Sequence, residues 1–199
     1  MTFEELDLNG TYTYADYLKW NFEVSGIPQR LELIKGKIFK MSPAPARRHQ
    51  DISMVLTRKI DRFLEKKPCK FYVAPFDVRL TPRKNDKKGK IYTVVQPDLC
   101  VVCDLNKLDD AGCVGSPDLI VEILSPGNSR KEMKEKFEVY EENGVKEYWI
   151  VYPYDEYVMV YSLNENGKFI GSKPFVEGEI VQSNILNGLE IEVGEIFKY

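Results

Sequence analysis

Residues 116–126 read SPDLIVEILSP. Leu119, Ile120, Val121, Ile123 and Leu124 form a β-prone apolar run bounded by proline at both ends, the pattern of a strand covered on both faces. Glu122 stands in the middle of it. A buried carboxylate without a partner is costly, or it shifts its pKa until it is neutral. The chain must therefore build a sheet interior in which a neighbour compensates Glu122, or in which the strand end opens into a site that uses it.

The rest of the pattern supplies the elements around that strand. TYTYADYLKW starts a short helix near Thr13, with Asp16 three residues on to complete a cap. RLELIKGKIFKM reads as two strands joined at Lys35-Gly36, where glycine permits the positive φ of a tight hairpin. Over 48–66 the apolar set Ile52, Val55, Leu56, Ile60, Phe63 and Leu64 has helical spacing, and Pro68 ends it. Strand segments follow at CKFYVAPFDVRL, TVVQPDLCVVCD and PDLIVEIL, then a helix over 130–142 closed by Asn143-Gly144. EYWIVYP, YVMVYSL and a glycine-rich remainder continue as strands. The order is helix, three strands, helix, strand after an N-terminal helix and hairpin, so the fold class is α/β or α+β on a central mixed sheet.

The 199 residues suit one substantial core, so a single domain over 1–199 is expected. No apolar run approaches the roughly 20 residues of a spanning helix, and MTFEELDLNG lacks the features of a signal peptide. A cytoplasmic protein is expected, with Cys69, Cys100, Cys103 and Cys113 as reduced thiols. Cys100 and Cys103 lie three apart on a strand and face opposite ways, so a shared zinc ion is not expected. The net charge of −3 argues against non-specific coating of nucleic acid. Basic residues nevertheless cluster at 47–48, 83–90 and 130–136; the plain reading of each cluster is a solvated face.

Asp98 opens the strand before Glu122. If the two strands are neighbours, their carboxylates converge at one end of the sheet and repel unless a cation lies between them. Oxygen ligands without a histidine cluster favour Mg²⁺ or Mn²⁺ over Zn²⁺. Asp118 lies on the same strand as Glu122 but about 13 Å away at ~3.3 Å per residue, too far to share the ion. It reads as a strand-entry residue.

PD at 97–98 followed by Glu122 resembles the PD-(D/E)XK nuclease superfamily, and within it the Uma-two family of restriction endonucleases. The resemblance is carried by RLELIKGKIFKMSP, RHQ at 48–50, APFDVRL, VVQPDLCVVCD, GCVGSPDLIVEILSP and KFEVYEENGVKEYWIVYP, spanning most of residues 12–163. It implies a restriction-endonuclease-like αβββαβ core, a mixed sheet between helices, with extra C-terminal strands. It also implies a metal-dependent endonuclease acting on DNA phosphodiesters, with Asp98 and Glu122 as ligands of Mg²⁺ or Mn²⁺ and the Ile123 carbonyl as a further oxygen.

The superfamily's lysine two residues after the glutamate is replaced here by Leu124. Met133, Lys136, Phe137 and Tyr140 share one face of the following helix, so Lys136 is the candidate substitute; the alternative runs its stem along the core and its charge into water. Glu32 and His49 also match family positions. Glu32 is either a further ligand or hydrogen-bond partner of one, or a hairpin carboxylate on a solvated face. His49 begins an apolar helix face, the usual place of a core or capping histidine. Gln96 is a candidate to orient Asp98 or a phosphate.

A homodimer is expected, since two sites cut both strands of a duplex, with Tyr148, Trp149, Tyr152, Tyr154, Tyr157 and Tyr161 either at the interface or in the core. The missing lysine at 124 and the acidic balance support an alternative, a catalytically silent relative that binds nucleic acid or serves in assembly.

Overall fold

The computed structural model describes residues 7, 10–19, 23–24, 27–28, 31–41, 46–81, 90–126 and 130–198. The basic stretch at 83–90 therefore lies, except for Lys90, outside the described residues. Helix α1 (Tyr14–Tyr17) carries the expected capping box between Thr13 and Asp16. Strands β1 (Glu23–Val24) and β2 (Ile27–Pro28) pair with each other. β3 (Leu31–Ile34) and β4 (Lys37–Lys40) form the hairpin whose turn takes φ 50° at Lys35 and φ 76° at Gly36, the left-handed pair that a two-residue turn requires. Helix α2 (Arg47–Leu64) buries Ile52, Leu56, Ile60 and Leu64, one residue per turn along a single stripe.

The next two segments differ from the sequence expectation. CKFYVAPFDVRL is not one strand but two, β5 (Lys70–Val73) and β6 (Val78–Leu80). TVVQPDLCVVCD likewise divides into β7 (Thr93–Val95) and β8 (Leu99–Val102). In each case the break falls at a proline, Pro75 or Pro97, which withholds an N–H from the ladder, and the two halves enter different sheets. β9 (Leu108–Asp109), β10 (Gly112–Val114) and β11 (Leu119–Ile123) precede helix α3 (Arg130–Asn143). That helix stops at Gly144, with φ 80°. β12 (Glu147–Tyr152), β13 (Tyr157–Leu163), β14 (Phe169–Gly171), β15 (Ile180–Gln182), β16 (Glu190–Glu192) and α4 (Val193–Phe197) complete the chain.

Two six-stranded mixed sheets result. The central one runs β14-β13-β12-β11-β8-β5, and its β11–β12 pair is parallel. The second runs β4-β3-β7-β6-β10-β9, with β6 and β10 parallel. Alternation along β11 sends Leu119, Val121 and Ile123 to one face, against α2, β15, β16 and α4. It sends Ile120 to the other, against α3 and the second sheet. Each fully buried leucine or isoleucine contributes roughly 1.5–3 kcal/mol relative to exposure. The class is α+β with mixed sheets, as expected. The second sheet was not foreseen, because both halves of a proline-broken strand alternate alike.

The cysteines require a correction. Cys100 and Cys113 are free, buried thiols, but Cys69 and Cys103 are joined as a disulfide. The β5–β8 register pairs Lys70 with Val102, which sets residue 69 opposite residue 103 with Cα atoms 3.9 Å apart. Among the described residues no helix is long and apolar enough to cross a membrane. Tyr148 and Trp149 are core residues, so the aromatic surface expected at an interface loses both.

Candidate active site

β8 and β11 are antiparallel neighbours, pairing Val101 with Leu119, Cys100 with Ile120 and Leu99 with Val121. One step further along the same register sets Asp98 opposite Glu122. The two carboxylates thus meet at the C-terminal end of β11. Asp98 is fixed there by its own atoms: Ile123 N–H donates to Oδ2 (2.7 Å), and Ala74 N–H donates to the Asp98 carbonyl (3.0 Å). His49 Nε2, from the first turn of α2, lies 3.2 Å from Asp98 Oδ1.

Glu122 is buried and compensated from α3. Lys136 and Tyr140, four residues apart and so on one face of the helix, both direct their polar ends at Glu122 Oε1, Nζ at 3.1 Å and the phenol O–H at 2.7 Å. Lys136 is itself only 5% exposed, so its charge does not run into water. Its Nζ also lies 3.0 Å from Glu32 Oε1, which accepts a hydrogen bond from Gln96 N–H (2.8 Å) as well. Glu32 is therefore not a solvated hairpin carboxylate but a buried one on β3, and its Oε2 has no partner among the described residues. An ammonium between two carboxylates offsets the desolvation of all three groups. Removing it would leave buried negative charge unpaired, a change that costs roughly 3–5 kcal/mol in comparable pairs.

Gln96 turns its side chain away from Asp98. Its side-chain amide donates to Asp77 Oδ1 (2.8 Å), and orientation of Asp98 falls instead to Ile123 N–H and His49. Asp118 sits at the opposite end of β11, taking Cys103 N–H (2.7 Å) and Lys146 Nζ (2.6 Å). Tyr140 and Asp77 were not anticipated from the sequence. Tyr140 gave a readable signal, four residues after Lys136 on the same stripe, but a tyrosine in an apolar stripe reads as packing.

The electrostatics are unbalanced. Among the described residues, Glu32, Asp98 and Glu122 bring three carboxylates against the single ammonium of Lys136, with His49 as a conditional second cation. Burial pushes Glu122 up to about 7; Asp98 and Glu32 add to the rise, and Lys136 and the Tyr140 hydroxyl oppose it. For His49, burial favours the neutral ring, but the bond to Asp98 and the charges of Asp98 and Glu122 raise its pKa overall. A site in which ionising a carboxylate is this unfavourable has the electrostatic character that a cation relieves.

Among the described residues no three His, Cys, Asp or Glu side chains gather so as to hold a metal by themselves. The donor set still fits one class of ion. Mg²⁺ keeps several waters and is commonly bound through only one or two carboxylates, which Asp98 and Glu122 offer. The same geometry does not fit a closed structural zinc site, which needs four nitrogen or sulfur ligands.

Comparison with known proteins agrees with this architecture. The family model Uma2, described as "Putative restriction endonuclease", matches residues 14–194. No curated protein matches the sequence. Among solved structures, a "putative nuclease belonging to DUF820" from Anabaena variabilis superposes with a TM-score of 0.71 at 18% identity, covering 93% of this chain and 97% of the other. At that identity the likeness speaks for the fold.

Proposed function

Since this chain belongs to the Uma2 family of restriction-endonuclease-like proteins, we propose that it is a divalent-metal-dependent endonuclease that hydrolyses DNA phosphodiester bonds within one catalytic domain. The observation that carries the reading is the convergence of Asp98 and Glu122 at one strand end with the Lys136 ammonium on Glu122. Asp98 and Glu122 would hold Mg²⁺ or Mn²⁺, with the Ile123 carbonyl as a further oxygen. Such an ion, when bound, acidifies a water and neutralises charge on a phosphate.

The remaining work falls to the chain. Lys136 and Tyr140 occupy Glu122 Oε1 and so fix the orientation in which Oε2 is presented. Glu32 holds the ammonium from the other side. A lysine fixed in this way is a preorganised donor for the charge that develops on the phosphate during attack, and needs no reorganisation at that moment. His49 steadies Asp98 through Oδ1. The silent alternative rests on Leu124 standing where the superfamily has lysine and on the acidic balance of the chain. The Lys136 ammonium at Glu122 favours the active reading over it. A two-fold dimer belongs to the same proposal, with an interface that includes neither the buried Tyr148 and Trp149 nor the exposed Tyr154.

The test is cleavage of supercoiled plasmid in Mg²⁺ or Mn²⁺ by the wild type, Asp98→Ala and Glu122→Ala. The wild type should nick the plasmid and both variants should be inactive while remaining folded. Full activity in either variant would remove this site from the reaction.

A further inference from the structure

The mouth of the carboxylate site presents an aromatic ring that the reading above does not use. β12 runs parallel to β11 and pairs Ile150 with Glu122 and Val151 with Ile123, so the turn after β12 lies at the end where the carboxylates meet. In that turn Tyr154 is 59% exposed. Arg48 holds its guanidinium over the ring, 5.7 Å from the centroid, and is ion-paired with Glu156 of the same turn. The next residue of α2 is His49, which touches Asp98. Arg48, His49 and Tyr154, with Leu124, Ser125 and Pro126, line one shallow surface depression.

A planar cation fixed over an exposed tyrosine is a surface onto which a nucleobase stacks, since every base has a π-face. The depression has no room for a ligand within it, so a base would lie on the ring rather than enter a pocket. Asp155 and Glu156 directly follow the ring in sequence and disfavour phosphate there, which leaves the uncharged face as the contact. Inside a duplex both faces of a base are covered by its neighbours, and only an unpaired or extruded base can use such a ring.

We propose that Tyr154 and Arg48 form a stacking post for one unpaired nucleobase beside the cleaved bond, so that the preferred substrate is single-stranded or locally unpaired DNA. The proposal rests on the nuclease reading and specifies its substrate class. Binding is measured by fluorescence anisotropy of a labelled single-stranded oligonucleotide and of the matching blunt duplex, with Ca²⁺ in place of Mg²⁺.

The wild type should bind the single strand more tightly than the duplex. Tyr154→Ala should weaken single-strand binding roughly tenfold, within the range for losing one base–aromatic stack, with little change for the duplex. Tyr154→Phe keeps the ring and should bind like the wild type. Ile170→Ala, which removes a similarly exposed apolar side chain from edge strand β14, should do the same. Undiminished single-strand binding by Tyr154→Ala, an equal loss in Tyr154→Phe, or the same loss on duplex would overturn the stacking post. Because binding is read without cleavage, a protein that keeps these binding ratios but never cuts DNA in Mg²⁺ would count against the nuclease reading alone.

Discussion

Two buried glutamates on neighbouring parallel strands are treated in opposite ways. Glu147, at the start of β12, accepts from Trp149 Nε1 (2.7 Å) on Oε1 and from Asn184 N–H (2.6 Å) on Oε2. Both oxygens are taken by fixed neutral donors, and the residue ties the central sheet to the segment leading into β16. Burial raises its pKa, and those hydrogen bonds pull it back. Glu122, near the end of β11, has a buried ammonium and a phenol on one oxygen and two further carboxylates in its surroundings. The same residue type on the same sheet is thus a structural tie at one end and an electrostatic imbalance at the other. What distinguishes them is the partner set: neutral N–H donors satisfy both oxygens of Glu147, whereas neighbouring carboxylates oppose the ionisation of Glu122.

Isosteric neutralisation breaks this comparison most sharply. Glu122→Gln should lower metal-dependent cleavage by roughly 10³-fold or more, as expected when a charged group acting on the reacting centre is lost, with the circular-dichroism spectrum unchanged. Glu147→Gln should leave cleavage within a few-fold. It should instead lower stability by about 1–3 kcal/mol, because its amide N–H₂ faces a donor that needs an acceptor, and this is read as a shift in the urea midpoint.

The next effect isolates Lys136. Lys136→Met keeps the stem and deletes the charge, and should cost roughly 10²-fold in cleavage rate and lower the stability of the metal-free protein, because Glu32 and Glu122 lose their shared ammonium. Lys134→Met serves as the control: Lys134 is exposed and pairs only loosely, at 3.7 Å, with Glu138, and the variant should cleave like the wild type. Equal behaviour of the two variants would remove Lys136 from the reaction.

The smallest effect is a pH slope. Glu122 and His49 both have folded pKa values above their unfolded ones, so the folded state binds more protons as each group titrates. For Glu122 the unfavourable contribution is absent below its unfolded value, near 4.5, and complete above about 7. For His49 the stabilisation present below 6.5 is lost as pH rises through its raised pKa. Stability of the metal-free protein should therefore fall as pH rises from about 5 to 8, because the unfolded state binds fewer protons in that window. Thermal melts across the window should show this fall, and Glu122→Gln should flatten more of it than Glu147→Gln.

What could be read from the sequence follows the same distinction. Glu122 was conspicuous because a charge inside SPDLIVEILSP violates the pattern of its own strand, and the later strand registers explain its convergence with Asp98. Lys136 was found because helical spacing put it on a buried face. Glu147 gives no signal because a glutamate opening a strand looks solvated; its partner Trp149 lies two residues along the same face, but Asn184 comes from a chain return that no local pattern encodes. The Cys69–Cys103 disulfide and the division of two strands at Pro75 and Pro97 likewise depend on which strands become neighbours.

If the carboxylates around Glu122 hold a cation in the way proposed, and the hydrogen-bonded Glu147 does not, the two glutamates must differ in metal binding. Titration of Mn²⁺ into the metal-free protein, followed by electron paramagnetic resonance of the free ion, tests it directly. One Mn²⁺ should bind per chain in the wild type and in Glu147→Gln, and binding should be lost in both Asp98→Ala and Glu122→Gln. Absence of binding in the wild type, or undiminished binding in Glu122→Gln, would contradict it.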